Sequence, residues 1–439
     1  MQDKLRSDAF EIFRKALSAV EPSSCISNSV CRDDNTLIVG DRAYDLTSYE
    51  NVFLVSFGKA AVAMASAMET ILDEYISDGF AITKYGFGGT LKKLEVLEAG
   101  HPIPDDNSVA AGIMIRDMLE RTGKNDLIVF LISGGGSALL TLPRKGISVS
   151  DIVGLTDGLI CSGATIDELN TVRKHLSAVK GGGLAKMAYP SESVSLILSD
   201  VVGDPLDVIA SGPTVPDSST FEEFLEIITR YDLKLSSAVQ GLLDDGLEGV
   251  LEETPKSSGP IFDRTYHYLV GTNSLALHEA ERKASELGYN TLILTSSLIG
   301  EAKEVAKVFA SIAREERLKG MPVPLPACIL AGGETTVTMR GKGKGGRCQE
   351  MALSFGIEVN GLENVLLLPG ATDGNDGTSD AAGAFADGST FRDGKDIGMD
   401  ARLMLLKNNS YSFFKETGDL LLTGPTGTNV MDIYILLIT

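Results

Sequence analysis

Short apolar runs that stop at glycine-rich turns recur along the chain, and several lead directly into helical patterns. They include NVFLVSFGKAA (51–61), DLIVFLISGGGSALL (126–140), SVSLILSDVVGD (193–204), HYLVGTNS (267–274), NTLILTS (290–296), ACILAGGET (327–335) and NVLLLPGATDG (364–374). Apolar runs of this length alternating with helices specify mainly parallel sheets covered by helices, so the fold class is α/β. After Gly58 the segment KAAVAMASAMETILDEY has the small residues of a helix packed closely on a sheet. After Thr272 the segment NSLALHEAERKASELG reads as a helix capped by Asn273 or Ser274 and closed by Gly288.

A chain of 439 residues exceeds one hydrophobic core, so two domains are expected. The stretch 244–263, acidic and then rich in Pro, Gly and Ser, is read as a linker between domains at 1–243 and 264–439. The loop-rich stretch 372–398 is long enough to be functional or disordered. A formal charge of −21 argues against nucleic acid or an anionic membrane as the main partner. No apolar run approaches the roughly 20 residues of a membrane span. The N-terminal segment places Leu5, Ala9, Ile12, Phe13, Ala16, Leu17 and Val20 on one helical face with charges between them, an amphipathic helix and not a signal peptide. Five scattered cysteines without CxxC spacing fit reduced thiols in the cytoplasm, and four dispersed histidines give no zinc pattern.

Against this acidic background, GGETTVTMRGKGKGGRCQE (332–350) gathers Arg340, Lys342, Lys344 and Arg347 among six glycines, a pattern suited to a polyanion such as phosphate. Four other turns follow predicted strands and, in an open α/β sheet, converge beyond the carboxyl ends of the strands. Gly58-Lys59 opens a helix, where free N–H groups and the lysine favour an anion. Ser133-Gly134-Gly135-Gly136-Ser137 can form a backbone nest for an oxyanion, and Leu139 excludes the G-x-S-x-G elbow of hydrolases. In SDVVGDPLD, Asp200, Asp204 and Asp207 are candidate magnesium ligands or turn caps. In TDGNDGTSD, Asp373, Asp376 and Asp380 lack the remaining pattern of an EF-hand. A helix begun at Thr165 or Asp167 carries Asn170, Arg173, Lys174 and His175, with Lys180 beyond it. There is no Walker A motif. Gly341, Gly343 and Gly346 match G-x-G-x-x-G but lack the strand–helix setting and the ribose-binding acid of a nicotinamide site.

Together these segments resemble the class II glycerate kinases, the glycerate 2-kinase family with a C-terminal MOFRL domain. The resemblance runs through FGKAA (57–61), GHPIPD (100–105), ISGGGSALL (132–140), GATIDELNTVRKHLSAVKGGGLA (163–185), SDVVGDPLDVIASGPT (199–214), GGETTV (332–337), GKGGRCQE (343–350), TDGNDGTSDAAGA (372–384) and TGPTGTNVMD (423–432). It implies an N-terminal Rossmann-like parallel sheet with helices on both faces, a smaller C-terminal α/β (MOFRL) domain, and a cleft between them. It also implies transfer of the γ-phosphate of ATP to D-glycerate, giving 2-phosphoglycerate, with Mg²⁺. The sequence departs from the family at Cys348, where asparagine is usual, and at Asn409, where aspartate is expected.

On this reading Lys59, Arg347 and Asp200 are the expected catalytic residues, and Asp200 and Asp204 the metal ligands. Substrate or nucleotide binding falls to Lys59, Gly135, Ser137, Asn170, Arg173, Lys180, Glu334, Arg347 and Asp376. Lys59 and the SGGGS nest would grip one anion and Arg347 another, with domain closure excluding water. Which cation meets glycerate and which meets ATP stays open, as does assembly into a homo-oligomer. An NAD(P)H-dependent hydroxypyruvate reductase is the alternative enzyme, and an anion sensor without turnover the alternative to an enzyme.

Overall fold

The computed structural model describes residues 2–439, which divide into two compact units. One comprises residues 22–199 and 204–270, and the other residues 2–21, 200–203 and 271–439. We call them the N-terminal and C-terminal units. The stretch 244–263, expected as a linker, lies inside the N-terminal unit. Its polar groups are engaged there: Thr254 donates to Asp217 (2.8 Å), and Glu253 accepts from the Phe221 N–H (2.8 Å). The N-terminal helix Gln2–Ala19 belongs to the C-terminal unit, because its apolar stripe packs on the helix Asn273–Glu286. No helix of the described residues is long and apolar enough to cross a membrane.

The N-terminal unit is built on a six-stranded sheet in the order Glu95–Ala99, Ile76–Lys84, Asn51–Phe57, Asp126–Ile132, Glu192–Leu198, Thr265–Gly271. The first five strands pair in parallel. All seven residues of Asp126–Ile132 are buried. Successive side chains of a strand point to opposite faces, so this strand is covered on both. Four helices, Val149–Cys161, Ile166–Leu176, Phe221–Arg230 and Ser237–Leu247, share a separate apolar cluster around Leu159, Val172, Phe221, Phe224 and Leu243. Three of them begin with reciprocal capping boxes, at Ser148/Asp151, Thr165/Glu168 and Thr220/Glu223. A three-stranded antiparallel sheet, Val30–Asp33, Thr36–Val39 and Arg42–Asp45, has no counterpart in the sequence reading.

The C-terminal unit departs from the mainly parallel expectation. Asn290–Leu298 and Ala327–Gly333 are parallel, but the last strand, Asp432–Ile438, inserts antiparallel between Ala327–Gly333 and Val365–Ala371. A terminal strand needs no crossover helix, so it can enter the sheet in either direction. The stretch 372–398 contains two short strands and the helix Thr390–Asp396. The helix after Gly271 is capped by Thr272, one residue before the expected Asn273, and Gly288 follows its end with φ +90°.

Candidate active site

In the N-terminal unit, strand register gathers the glycine turns. Phe57 pairs with Ile132, so Gly58-Lys59 and Ser133-Gly134 leave the sheet side by side. The Lys59 N–H donates to Gly134 O (2.9 Å), and the Ala60 N–H donates to Ser133 Oγ (3.1 Å). Gly58 adopts φ +126°, and a side chain there would collide with Ser133. Lys59 precedes the helix Ala61–Leu72, whose N-cap is Ala60. Lys84 pairs with Ala99, which brings Gly100-His101 to the same edge. Gly135 closes this group: φ is +81°, and a Cβ would lie 2.9 Å from the His101 ring and 3.2 Å from Lys59 Cγ.

Beside these turns lies a cavity of about 390 Å³. His101, Ser137, Asp157, Arg173 and Lys180 are among its polar lining residues beside Gly135, with Ile103 and Ile152 among the apolar ones. Lys180 is buried, and its Nζ donates to Ser137 O (2.6 Å) and Leu140 O (3.0 Å). Burial and then the Arg173 charge pull its pKa down to about 7. Burial likewise lowers that of Arg173. Burial, followed by Lys59 and Lys84, lowers His101 to about 4, so its imidazole is neutral at pH 7. Burial thus disfavours the charge on both cations, and with Asp157 the one carboxylate in the lining, an anion bound there would favour their charged forms. Lys174, by contrast, is occupied, 3.1 Å from Asp217 and 3.6 Å from Asp207. Asn170 is buried in a hydrogen-bond chain that runs from its Oδ1 through Ser211 to Ser137.

The expected metal ligands are distributed between the units, Asp200 in the C-terminal and Asp204 in the N-terminal one. Asp204 Oδ1 is buried without a hydrogen-bond partner, and burial raises its pKa against the Ser199 hydrogen bond. Among the described residues no group of three or more His, Cys, Asp or Glu is arranged to hold a metal ion.

In the C-terminal unit Asp432 pairs with Gly333 on one side and Ala371 on the other, so Glu334 and Asp373 follow just beyond it. Arg347 opens the helix Arg347–Glu358, and its Nε and Nη2 contact the two Asp432 oxygens at 2.6 and 2.9 Å. Nη1 lies 2.8 Å from Glu334. Burial works against the arginine's charge, but the Asp432 hydrogen bonds prevail and its pKa is raised. The fork expected to clamp a substrate anion is thus held by two carboxylates of its own unit. Burial raises the Glu334 pKa, Arg347 opposes it, and Asp432, Asp200 and Asp373 add to it. Asp376 accepts from the Cys348 N–H (3.1 Å) and the Gln349 N–H (2.8 Å), capping the Arg347 helix from a distant loop.

The basic loop also has a packing explanation. Side chains at Gly341, Gly343 and Gly346 would collide with Lys407, Asn408–Asn409 and Asp376 respectively. Asn408 Oδ1 accepts from the Arg340 N–H (2.7 Å) and Gly341 N–H (2.9 Å), and Lys344 stacks over the Tyr411 ring at 3.8 Å. Both departures from the family pattern find partners. Cys348 is buried beside Asp432 with a raised thiol pKa, and Asn409 Oδ1 accepts from the Lys344 N–H (3.1 Å).

Sequence reasoning missed His101, Ser211 and Asp432 as members of these clusters. His101 and Asp432 lie inside motifs that were read only for their resemblance. Ser211 sits in a turn with no chemical signature.

Residues 8–244 match the family model described as a domain of unknown function, DUF4147, and residues 327–432 match the MOFRL family. A glycerate 2-kinase from Pyrococcus horikoshii is 43% identical across 99% of this chain and 98% of its own length. A D-glycerate 2-kinase from Thermotoga maritima is 42% identical across 99% of both. An Agrobacterium vitis relative with a provisional hydroxypyruvate reductase name is 43% identical over 88% of this chain and 86% of its own. The crystal structure of Thermotoga maritima glycerate kinase superposes with a TM-score of 0.90 at 41% identity, covering 100% of both chains. By sequence and by fold, the chain belongs to the glycerate kinase family whose DUF4147 region is followed by a MOFRL domain.

Proposed function

We propose that this phosphotransferase, acting on an alcohol group, moves the γ-phosphate of ATP to D-glycerate and yields 2-phosphoglycerate. The observation that carries the reading is the cationic cavity of the N-terminal unit. There Arg173 and Lys180 face a space beside the SGGGS turn, and Lys59 stands at its edge. The lining holds one carboxylate, Asp157, and among the described residues neither cation is ion-paired to it or to any other carboxylate. Glycerate and ATP both present anionic oxygens, and phosphoryl transfer depends on positioning and charge neutralisation more than on covalent catalysis. In this reading Lys59, Arg173 and Lys180 hold anionic oxygens and lower the charge on the reacting groups. Glycerate's carboxylate belongs with Arg173 and Lys180. Arg347 acts through Glu334 and Asp432, whose positions it fixes.

The donor set fits Mg²⁺, which takes one or two carboxylates and completes its shell with water and phosphate oxygens. Asp204 of the N-terminal unit, with its unpartnered buried oxygen, is the residue whose chemistry fits it there, and Asp200 carries the same carboxylate chemistry in the C-terminal unit. When bound, Mg²⁺ would neutralise charge on the transferred phosphoryl group.

Incubation with D-glycerate, ATP and Mg²⁺, followed by phosphorus NMR, tests the proposal. A 2-phosphoglycerate resonance that grows with ADP supports it. A 3-phosphoglycerate product corrects the regiochemistry. NADH-dependent loss of hydroxypyruvate without ADP formation replaces the kinase with a reductase.

A further inference from the structure

We propose that Ser211 is a positioning residue, fixing Ser137 as a hydrogen-bond acceptor for an alcohol O–H of glycerate in the cationic cavity. The inference rests on the reading of that cavity as a glycerate site. A serine hydroxyl has one hydrogen and two lone pairs. Ser211 Oγ gives its hydrogen to Asn170 Oδ1 (3.0 Å) and also lies 2.8 Å from Ser137 Oγ. With the Ser211 hydrogen committed, the hydrogen between the serines comes from Ser137. Ser137 therefore has only lone pairs left for the cavity that it lines. Carboxylate and phosphate oxygens are acceptors too and gain nothing there. A substrate hydroxyl does.

The local backbone is held in an uncommon form to make this chain. Ala210 (φ +50°) and Ser211 (φ +62°) both lie in the left-handed region, which non-glycine residues rarely enter. The segment is clamped where the Gly181 N–H donates to Ser211 O (2.9 Å) and the Gly182 N–H to Gly212 O (2.7 Å). Asn170 Nδ2 is buried without a partner, so the amide meets Ser211 through its oxygen at the expense of its own donor. Strained backbone and an orphaned donor on one hydrogen-bond chain point to a function for that chain. The outcome is discrimination: Arg173 and Lys180 take the carboxylate, and Ser137 selects an acid that also carries an alcohol.

The test compares wild type with Ser137→Ala, Ser211→Ala and the double variant. Ser211→Ala keeps the Cβ and changes no packing volume beyond one oxygen. Each single variant is expected to raise KM for D-glycerate about ten-fold, the effect of one lost hydrogen bond, with KM for ATP unchanged. The double variant is expected to be no worse than Ser137→Ala, because Ser211 acts through Ser137. Calorimetry with D-lactate and 3-hydroxypropionate, each lacking one glycerate hydroxyl, adds a readout free of turnover. One of the two should bind wild type more weakly than glycerate and be insensitive to Ser137→Ala. Multiplicative losses in the double variant, or a shift in KM for ATP alone, overturn the proposal. So does equal weakening by Ser137→Ala of propionate, which has no hydroxyl, since Ser137 would then be a donor. A wild-type protein that neither binds nor phosphorylates glycerate removes the underlying reading, an outcome distinct from all of these.

Discussion

Arg347 shows how a residue can be visible in the sequence while its partners are not. An arginine among the clustered cations of a glycine-rich loop in an acidic chain invites an anion, and the sequence alone assigns it a substrate. The fold assigns it Asp432, a side chain with no exposure, through a bidentate pair. The sequence could not reveal this, because a helix start and a strand start 85 residues apart meet only in the folded chain. Removing one partner of a buried pair leaves the other charge uncompensated, at about 3–5 kcal/mol. Arg347→Ala is therefore expected to lose stability of that order in urea unfolding as well as activity. Combining Arg347→Met with Asp432→Leu should recover most of the stability and none of the activity. If Arg347→Ala unfolds like wild type, Asp432 is not held by this pair.

Among the elements, strand–helix alternation was the most legible part of the chain, because continuous apolar runs and capping residues act locally. The runs at 51–61, 126–140, 193–204 and 327–335 each contain a strand. Less legible were contacts made by loops. Asp376 was read as a ligand-binding acid, yet it caps the helix Arg347–Glu358 in a position that no spacing rule could link to it. Burial raises its pKa to about 7, outweighing the two N–H donors that favour the charged form. The folded state then keeps a proton that the unfolded chain releases near its ordinary value of 3.8. This group's contribution to stability accordingly falls as pH rises from about 4 to about 7, and is level above that. Asp376→Asn retains an oxygen for one of the two N–H groups, which bond different carboxylate oxygens, and has no charge to bury. Its stability relative to wild type should rise over that pH window and then plateau. Asp376→Ala loses the acceptor at every pH, a cap deletion of about 1 kcal/mol or more. Chemical unfolding at pH 5 and pH 8 separates the two, and a pH-independent difference for the Asn variant would exclude this titration.

At the scale of the whole molecule, composition supports two domains but does not show that one of them is assembled from three separate segments. Helix Gln2–Ala19 belongs with residues 271–439, although 178 residues of the other unit's first segment separate it from residue 200. The reason lies in complementary surfaces, not in sequence order. Phe13 is fully buried, and a Cβ at Gly370 would stand 2.6 Å from its ring, so the strand Val365–Ala371 is shaped to receive it. Tyr289 donates to Asp8 (2.6 Å), and Arg6 pairs with Asp419, fastening the helix at both its polar edges. Amphipathicity identified the buried stripe, since Leu5, Ala9, Ile12, Phe13 and Ala16 are all buried, but not its partner. Phe13→Ala should cost about 3–5 kcal/mol, the range for truncating a buried aromatic residue. Hydrogen exchange locates the loss: amides of Asp432–Ile438 should lose protection while those of Asp126–Ile132 retain it. Equal loss in both strands would mean that the units open together, and that the N-terminal helix stabilises the chain as a whole instead of one of its units.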